Sequence, residues 1–253
     1  MRRRVGALLV CALLFAGCAS PPPPDLDGDG ILDSEDDDVD GDGYNNTVEL
    51  DCMSDAWNST STPSDIDGDG LCDALDSDID GDGLPNDWEE ERGFDPRDAE
   101  SMMTCHGHTV YCLRTFDDFT FPETHNAYST VEDQFLIGVN HYTGLQWQWD
   151  GGIRAFMVDS HHRSDDNTSA EDVRFCHGTG QFFHPCLFGE VDAFDWLRLL
   201  GSLMNNSSGD VVTLLIENYV PAEHLDFLFK QTGMYERIYT HTLGESWPSL
   251  GDL

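Results

Sequence analysis

Basic residues are scarce. The chain of 253 residues carries 12 lysines and arginines against 49 aspartates and glutamates, a formal charge of −37. That balance excludes a nucleic-acid surface built on basic patches. Long apolar runs are short supply as well: Val5 to Phe15 holds eleven residues, too few to cross a bilayer. Preceded by Arg2, Arg3 and Arg4, the run reads as a signal peptide rather than a transmembrane helix. No CxxC pair occurs among the eight cysteines, so zinc is only the rival reading of them.

The charge is unevenly placed. From Asp25 to Glu100 there are 28 acids and two bases, Arg92 and Arg97, whereas from Ser101 onward there are 21 acids and seven bases. Apolar residues are sparse in the first block and dense after Phe116. This predicts one globular domain at the C-terminal end, residues 101–253, behind a polar module, residues 25–100.

Ala16-Gly17-Cys18 closes the signal run. It resembles a bacterial lipobox, with Phe15 where leucine is usual. The resemblance implies that residues 1–18 are a lipoprotein signal segment whose Cys18 becomes the lipidated first residue of the mature protein, which anchors the protein to a membrane without spanning it. The alternative is an ordinary cleaved signal with a chance cysteine. Residues 19–24, ending in four prolines, read as an extended spacer. No aspartate follows Cys18 directly, which in a two-membrane bacterium favours an outer-membrane or cell-surface lipoprotein.

The acidic block is an internal repeat. Asp25, Asp27 and Asp29 recur as Asp65, Asp67 and Asp69, and Asp38, Asp40 and Asp42 recur as Asp78, Asp80 and Asp82. The offset is 40 in both cases (65 − 25 and 78 − 38) and 13 within a pair (38 − 25). Carboxylates at positions 1, 3 and 5 of a loop converge on one hard cation, and glycine at position 6 permits the sharp turn. Position 12 is Glu49 or Glu89 in the second loop of each pair and Asp36 or Asp76 in the first. Calcium is the expected ion. A solvated acidic run does not explain the glycine register. The block resembles thrombospondin type 3 calcium-binding repeats, which implies a stalk stiffened by its ligand. Without metal, loops this charged should repel one another and unfold.

Four apolar runs in the C-terminal block read as strands: Phe116 to Pro122, Ile153 to Val158, Val173 to Cys176 and Val211 to Ile216. Each leads into polar or ionisable residues, namely His125 with Asn126, Asp159, His177 and Glu217. Val191, Phe194, Leu197, Leu200 and Met204 recur at helical spacing. Alternating strands and helices predict an α/β fold with a parallel sheet, with functional groups at the carboxyl ends of its strands, as in a TIM-type β/α barrel. Two histidines with an acid suit general acid–base chemistry, and the further oxygens suit a hard metal.

Thr124-His125-Asn126-Ala127-Tyr128, Gly152 to Asp159, Phe175-Cys176-His177-Gly178 and Val211 to Tyr219 stand in the order of the X domain of phosphatidylinositol-specific phospholipase C. The chain is similar to the exported branch of that superfamily, the phospholipase C-like phosphodiesterases, where a cysteine pair like Cys105 and Cys112 also stands upstream. The resemblance implies that His125 is the base that deprotonates the inositol 2-hydroxyl. His177 is then the acid that protonates the departing diacylglycerol oxygen. Metal-independent members have arginine where this chain has Asp159, so the carboxylate implies a calcium-assisted reaction, with Asn126 and Glu217 at two further ligand positions. Met157 departs from the pattern, which has glutamate there in the four-ligand enzymes.

Bland readings stand beside these. Asp159 and Glu217 also suit salt bridges or caps, and Arg154 suits a structural role or a phosphate contact. His161 and His162 can touch substrate or simply be exposed, and Phe182, Phe183 and Trp196 are more often core than lipid contacts. With Cys11 lost to the signal and Cys18 to lipid, six cysteines remain, allowing 15 pairings. The simplest local set joins Cys52 to Cys72, Cys105 to Cys112 and Cys176 to Cys186.

From Ser101 to Leu253 there are 153 residues, fewer than the roughly 200–250 of a β/α barrel. Four strands are legible, with a possible fifth near Arg237 to His241, so the barrel is expected to be incomplete here: a fragment, a damaged protein, or a sheet that something else completes. Two functions from different classes follow. One is a calcium-dependent phosphodiesterase or lyase acting on a phospholipid or glycolipid head group. The other is a noncatalytic, calcium-stiffened surface lipoprotein. A third candidate is the same chemistry on a glycerophosphodiester or sphingomyelin.

Overall fold

The computed structural model describes residues 24–166, 168–177, 183–207 and 209–253. The signal and lipidation readings, Cys18 included, and that of Phe182 lie outside the described residues. The chain divides between Asp76 and Ser77 into two compact units.

The first unit is built of acidic loops with little helix. One short helix, α1 (Asn46–Asp51), opens on Asn45, whose side chain accepts from Val48 N–H. Cys52 is joined to Cys72, which ties the segment after the first pair of loops to the third loop. Among the described residues of this unit a carboxylate, Glu49, is fully buried, and Val39 is comparably covered.

The second unit opens with the fourth acidic loop and the helix α2 (Asn86–Arg92). Its sheet contains β1 (Glu123–Thr124), β2 (Ala155–His162), β3 (Val173–Phe175), β4 (Val191–Asp192) and β5 (Thr213–Asn218). Around it lie α3 (Leu145–Asp150), α4 (Ala193–Asn205) and α5 (Ala222–Thr232). β2 is the central strand. β5 runs parallel along one edge from Ala155 to Ser160. Its other edge is shared by β1, parallel at Ala155 and Phe156, and by β3, antiparallel at Ser160 to His162.

Alternation along β2 sorts its side chains by face. Phe156 and Val158 turn to the main core with Trp196, Leu197 and Leu200 of α4, and the Phe156 and Trp196 rings meet edge to face at 5.9 Å. Burying each such side chain stabilises the fold by about 1.5–3 kcal/mol. Asp192 caps α4, accepting from Phe194 N–H at 2.9 Å and Asp195 N–H at 3.2 Å. Met157, Asp159 and His161 occupy the opposite face, opposite Leu215, Glu217 and Tyr219 of β5 or just beyond it.

The sheet departs from the expected parallel one. β3 runs antiparallel to β2, because Arg163 to Asp172 is too short for the dozen or more residues a parallel crossover needs, and β4 turns back antiparallel to β3. The described strands make an open sheet, mixed in direction, within an α/β unit. Phe116 to Pro122 is not a strand: Phe116–Asp118 forms a 3-10 turn, and Phe116, Phe119 and Phe121 cluster with His106 and Trp247. Pro122 cannot donate to a ladder. Nor do Arg237 to His241 pair as a strand, since Tyr235–Arg237 is a 3-10 turn and the His241 ring lies flat on Trp247 at 3.9 Å. Val191 sits in β4, just before the Asp192 cap of α4, and is not part of that helix.

All three disulfides join the pairs expected from local spacing. They fit an exported protein folded in an oxidising compartment. No helix among the described residues is long and apolar enough to cross a membrane.

Candidate functional site

The four acidic loops place their carboxylates as the repeat predicts. Asp25, Asp27 and Asp29 converge within 4.8 Å of one another, as do Asp38, Asp40 and Asp42, Asp65, Asp67 and Asp69, and Asp78, Asp80 and Asp82. Backbone amides hold them inward: Gly41 and Gly43 N–H both donate to Asp38, at 3.1 Å, and Tyr44 N–H donates to Asp42 at 2.9 Å. Gly43 and Gly83 have φ of 100° and 95°, a region that an L side chain rarely adopts.

The loops of each pair differ in burial. Asp25, Asp27 and Asp29 are exposed, and so are Asp65, Asp67 and Asp69. In the second loops Glu49 and Glu89 are 0 % exposed, carried inward by the short helices that follow. Both Glu89 carboxylate oxygens and Oε2 of Glu49 have no hydrogen-bond partner, nor do Oδ2 of Asp40, Asp42, Asp80 and Asp82. Burial, reinforced by Asp80, Asp82 and Asp78, pushes the Glu89 carboxyl up to about 7. Burial likewise raises Glu49, despite the hydrogen bond from Ser54. A buried carboxylate facing other carboxylates is costly without a cation. The donor set, all hard oxygen, fits calcium.

The second constellation lies at the carboxyl ends of β1, β2 and β5. His125 and Asn126 follow β1, and Ala127 N–H donates to Met157 C=O at 2.9 Å, which pins their loop beside β2. Asn126 is buried with φ 50°. Its Oδ1 accepts from the Tyr128 hydroxyl at 3.3 Å. Burial, and the neighbouring Asp159 carboxylate after it, drive the Tyr128 phenol far up, so it stays a neutral donor.

His177 reaches the same place from the hairpin. Cys176 N–H donates to Asp159 C=O at 3.3 Å, continuing the β2–β3 pairing by one residue. His177 Nδ1 then stands 2.7 Å from Asp159 Oδ2, with 46 % of the imidazole side chain exposed and 2 % of the carboxylate. The other oxygen, Asp159 Oδ1, is buried without a hydrogen-bond partner. Glu217 lies directly across from Asp159 in the β2–β5 register, and Tyr219 O–H donates to its Oε2 at 3.1 Å. The His161 ring stacks flat on Tyr219 at 4.4 Å.

Thus Asn126, Asp159 and Glu217 gather at one sheet end with His177, and exposed His125 stands on the adjoining loop. The fit to a cation is tested by Asp159 Oδ1, a buried anionic oxygen with nothing to hold. Met157, itself buried, supplies no fourth carboxylate. Sequence reasoning missed Asn140 and His141. Asn140 Nδ2 lies 3.0 Å from His125 Nδ1, and His141 Nε2 lies 2.9 Å from His125 C=O. It also missed Asp159 as the partner of His177, which becomes visible only once β2 and β3 are known to be a hairpin.

The remaining candidates fall elsewhere. Arg154 has a structural role: it pairs with Asp210 at 2.9 Å, donates to Trp149 C=O at 2.8 Å and lies over the Trp149 ring at 3.7 Å. His162 meets His224 at 2.9 Å. Trp196 is core, while Phe183 is exposed. A cavity of about 900 Å³ lies beside β5, lined by Leu214, Ile216, Phe229, Tyr239 and Trp247 among others. His125, His177, Asn126, Asp159 and Glu217 do not line it.

The chain is 27 % identical over 150 residues to the PI-PLC X domain-containing protein At5g67130 of Arabidopsis thaliana, covering 54 % of this chain and 33 % of that protein. The chain therefore spans about a third of that relative's length. No solved structure matches it. Residues 111–253 match the PI-PLC X family model, more than half of the chain, and the protein belongs to the PI-PLC X domain family.

Proposed function

We propose that the protein is an exported phosphodiesterase of the phospholipase C type, cleaving an inositol phospholipid or related glycolipid by acid–base catalysis between His125 and His177. The observation that carries this reading is the His177–Asp159 pair beside the His125 loop. Asp159 fixes the ring through Nδ1–H, leaving Nε2–H to protonate a leaving oxygen. His125 is the complementary base. With the Asn140 carboxamide turned so that Oδ1 accepts from His125 Nδ1–H, Nε2 is free to take a proton.

His125 Nε2 removes the proton of the hydroxyl next to the phosphate, and that oxygen bonds to phosphorus. The phosphorus–oxygen bond to diacylglycerol breaks as His177 protonates the departing oxygen. Asn126, Asp159 and Glu217 would hold a calcium ion, which would neutralise phosphate charge. Tyr128 and Tyr219 orient Asn126 and Glu217 as donors of that set. The open sheet, with β1, β2 and β5 parallel, is read as the opening strands of a β/α barrel.

Calcium in the four acidic loops is part of the same reading, supported in all four by the convergence of three carboxylates and in the second loop of each pair by buried, unpartnered carboxylate oxygens. So is membrane attachment through Cys18 at a bacterial surface. The test is release of inositol phosphate from phosphatidylinositol vesicles, with calcium and with chelator, by the wild type and by His125→Ala. Calcium-dependent release by the wild type alone is expected. Equal release by both proteins contradicts the assignment.

A further inference from the structure

We propose that a cation in the fourth acidic loop, Asp78 to Glu89, acts as a clasp on the phosphodiesterase unit itself, locking its second hydrophobic core rather than only stiffening a stalk. The proposal rests on the reading that these loops bind calcium.

Three observations carry it. First, this loop belongs to the compact unit that begins at Ser77 and contains the family domain. Second, its residues are built into that unit. Leu84 is fully buried in a cluster with Cys105, Cys112 and Leu250, against which Trp88, Met103, Tyr111 and Phe116 pack. Thr109 Oγ1 donates to Asp82 C=O at 2.7 Å, and a Cβ at Gly83 would stand 3.1 Å from Val110. Arg92 of α2 pairs with Asp252 and lies over Trp88 at 4.1 Å.

Third, the loop is unfinished without a cation. Glu89 is wholly buried with neither oxygen partnered, and Asp80 and Asp82 each keep a buried oxygen unpartnered. Glu89 sits on α2 one residue after Trp88. Repulsion that expels its carboxylate would rotate the same helix and withdraw Trp88, while Leu84 lies in the loop proper. Metal loading and closure of this core are therefore one equilibrium, and binding energy becomes stability of the domain.

Hydrogen exchange on the full chain, in calcium chloride and in chelator, tests this. At calcium about ten times its dissociation constant, amides of residues 103–119 and 247–253 should exchange roughly tenfold more slowly. Glu49→Gln should retain that effect and Glu89→Gln should lose it. Should Glu89→Gln fail to fold, Thr109→Val leaves every carboxylate in place. It should keep calcium protection at residues 78–92 while weakening it at residues 103–119. Protection confined to residues 78–92 in the wild type overturns the clasp and leaves calcium binding standing. Absence of protection in every acidic loop overturns the calcium reading and the clasp with it.

Discussion

Asp159 and His177 form the closest pair of functional groups at the sheet end, Oδ2 to Nδ1 at 2.7 Å, with the carboxylate buried and the imidazole reaching solvent. One strand end thus supplies an anchor for the histidine and a spare oxygen, Oδ1, for a cation. Asp159→Asn keeps the shape but removes the charge and permits the wrong imidazole tautomer. Turnover of phosphatidylinositol should fall by about 10²- to 10⁴-fold. A steady-state assay checks this, and activity within twofold of the wild type would contradict the anchoring role.

Tyr219 positions Glu217 through one hydrogen bond of 3.1 Å. That bond also raises the pKa of the Tyr219 phenol. Tyr219→Phe keeps the stack on His161 and loses only the hydroxyl. The calcium concentration for half-maximal activity should rise severalfold, with little change in activity at saturating calcium. A calcium titration of activity decides the matter, and an unchanged midpoint would count against Glu217 as a ligand.

His161 is held neutral. Burial lowers its pKa to about 4, with the nearby His184 and His177 acting in the same direction against Asp159 and Glu217. A folded pKa below the unfolded value of about 6.5 means that the unfolded chain binds the extra proton first. Its contribution to stability is therefore complete above about pH 6.5 and is lost as pH falls toward about 4. Denaturant midpoints across that window should drop less steeply in His161→Phe, and histidine NMR should show the ring neutral at about pH 5.5.

Much of this was legible in the sequence because it depends on residue type at fixed spacing. The DxDGDG register located all four carboxylate clusters, and the β2 and β5 runs revealed Asp159 and Glu217 at their ends. The direction of β3 was not legible. Val173 to Phe175 is apolar enough to pass for a parallel core strand, and only the shortness of Arg163 to Asp172 betrays the hairpin. The pairing of Asp159 with His177 was hidden for the same reason, being a consequence of register. The run from Phe116 to Pro122 misled because aromatics signal strands and aromatic clusters alike. Asn140 and His141 follow an irregular loop with no period to read. The burial that separates Glu49 and Glu89 from Asp36 and Asp76 could be suspected only from the longer side chain.

Core packing behind the site should be as sensitive as that of any buried helix. Leu200 of α4 is fully buried in the main cluster. Leu200→Ala should cost about 2–5 kcal/mol, measured by urea unfolding in saturating calcium. A loss below about 1 kcal/mol would show that α4 packs less tightly against β2 than the contacts with Phe156 imply.

The central claim, that His125 and His177 are a base and acid acting on one phosphodiester, is tested most directly by following phosphorus NMR of phosphatidylinositol vesicles with three proteins in calcium. The wild type should convert the lipid resonance to that of a cyclic inositol phosphate, and His125→Ala and His177→Ala should each abolish the conversion while folding normally. Conversion by either variant at the wild-type rate, or none by a folded wild type, would contradict it.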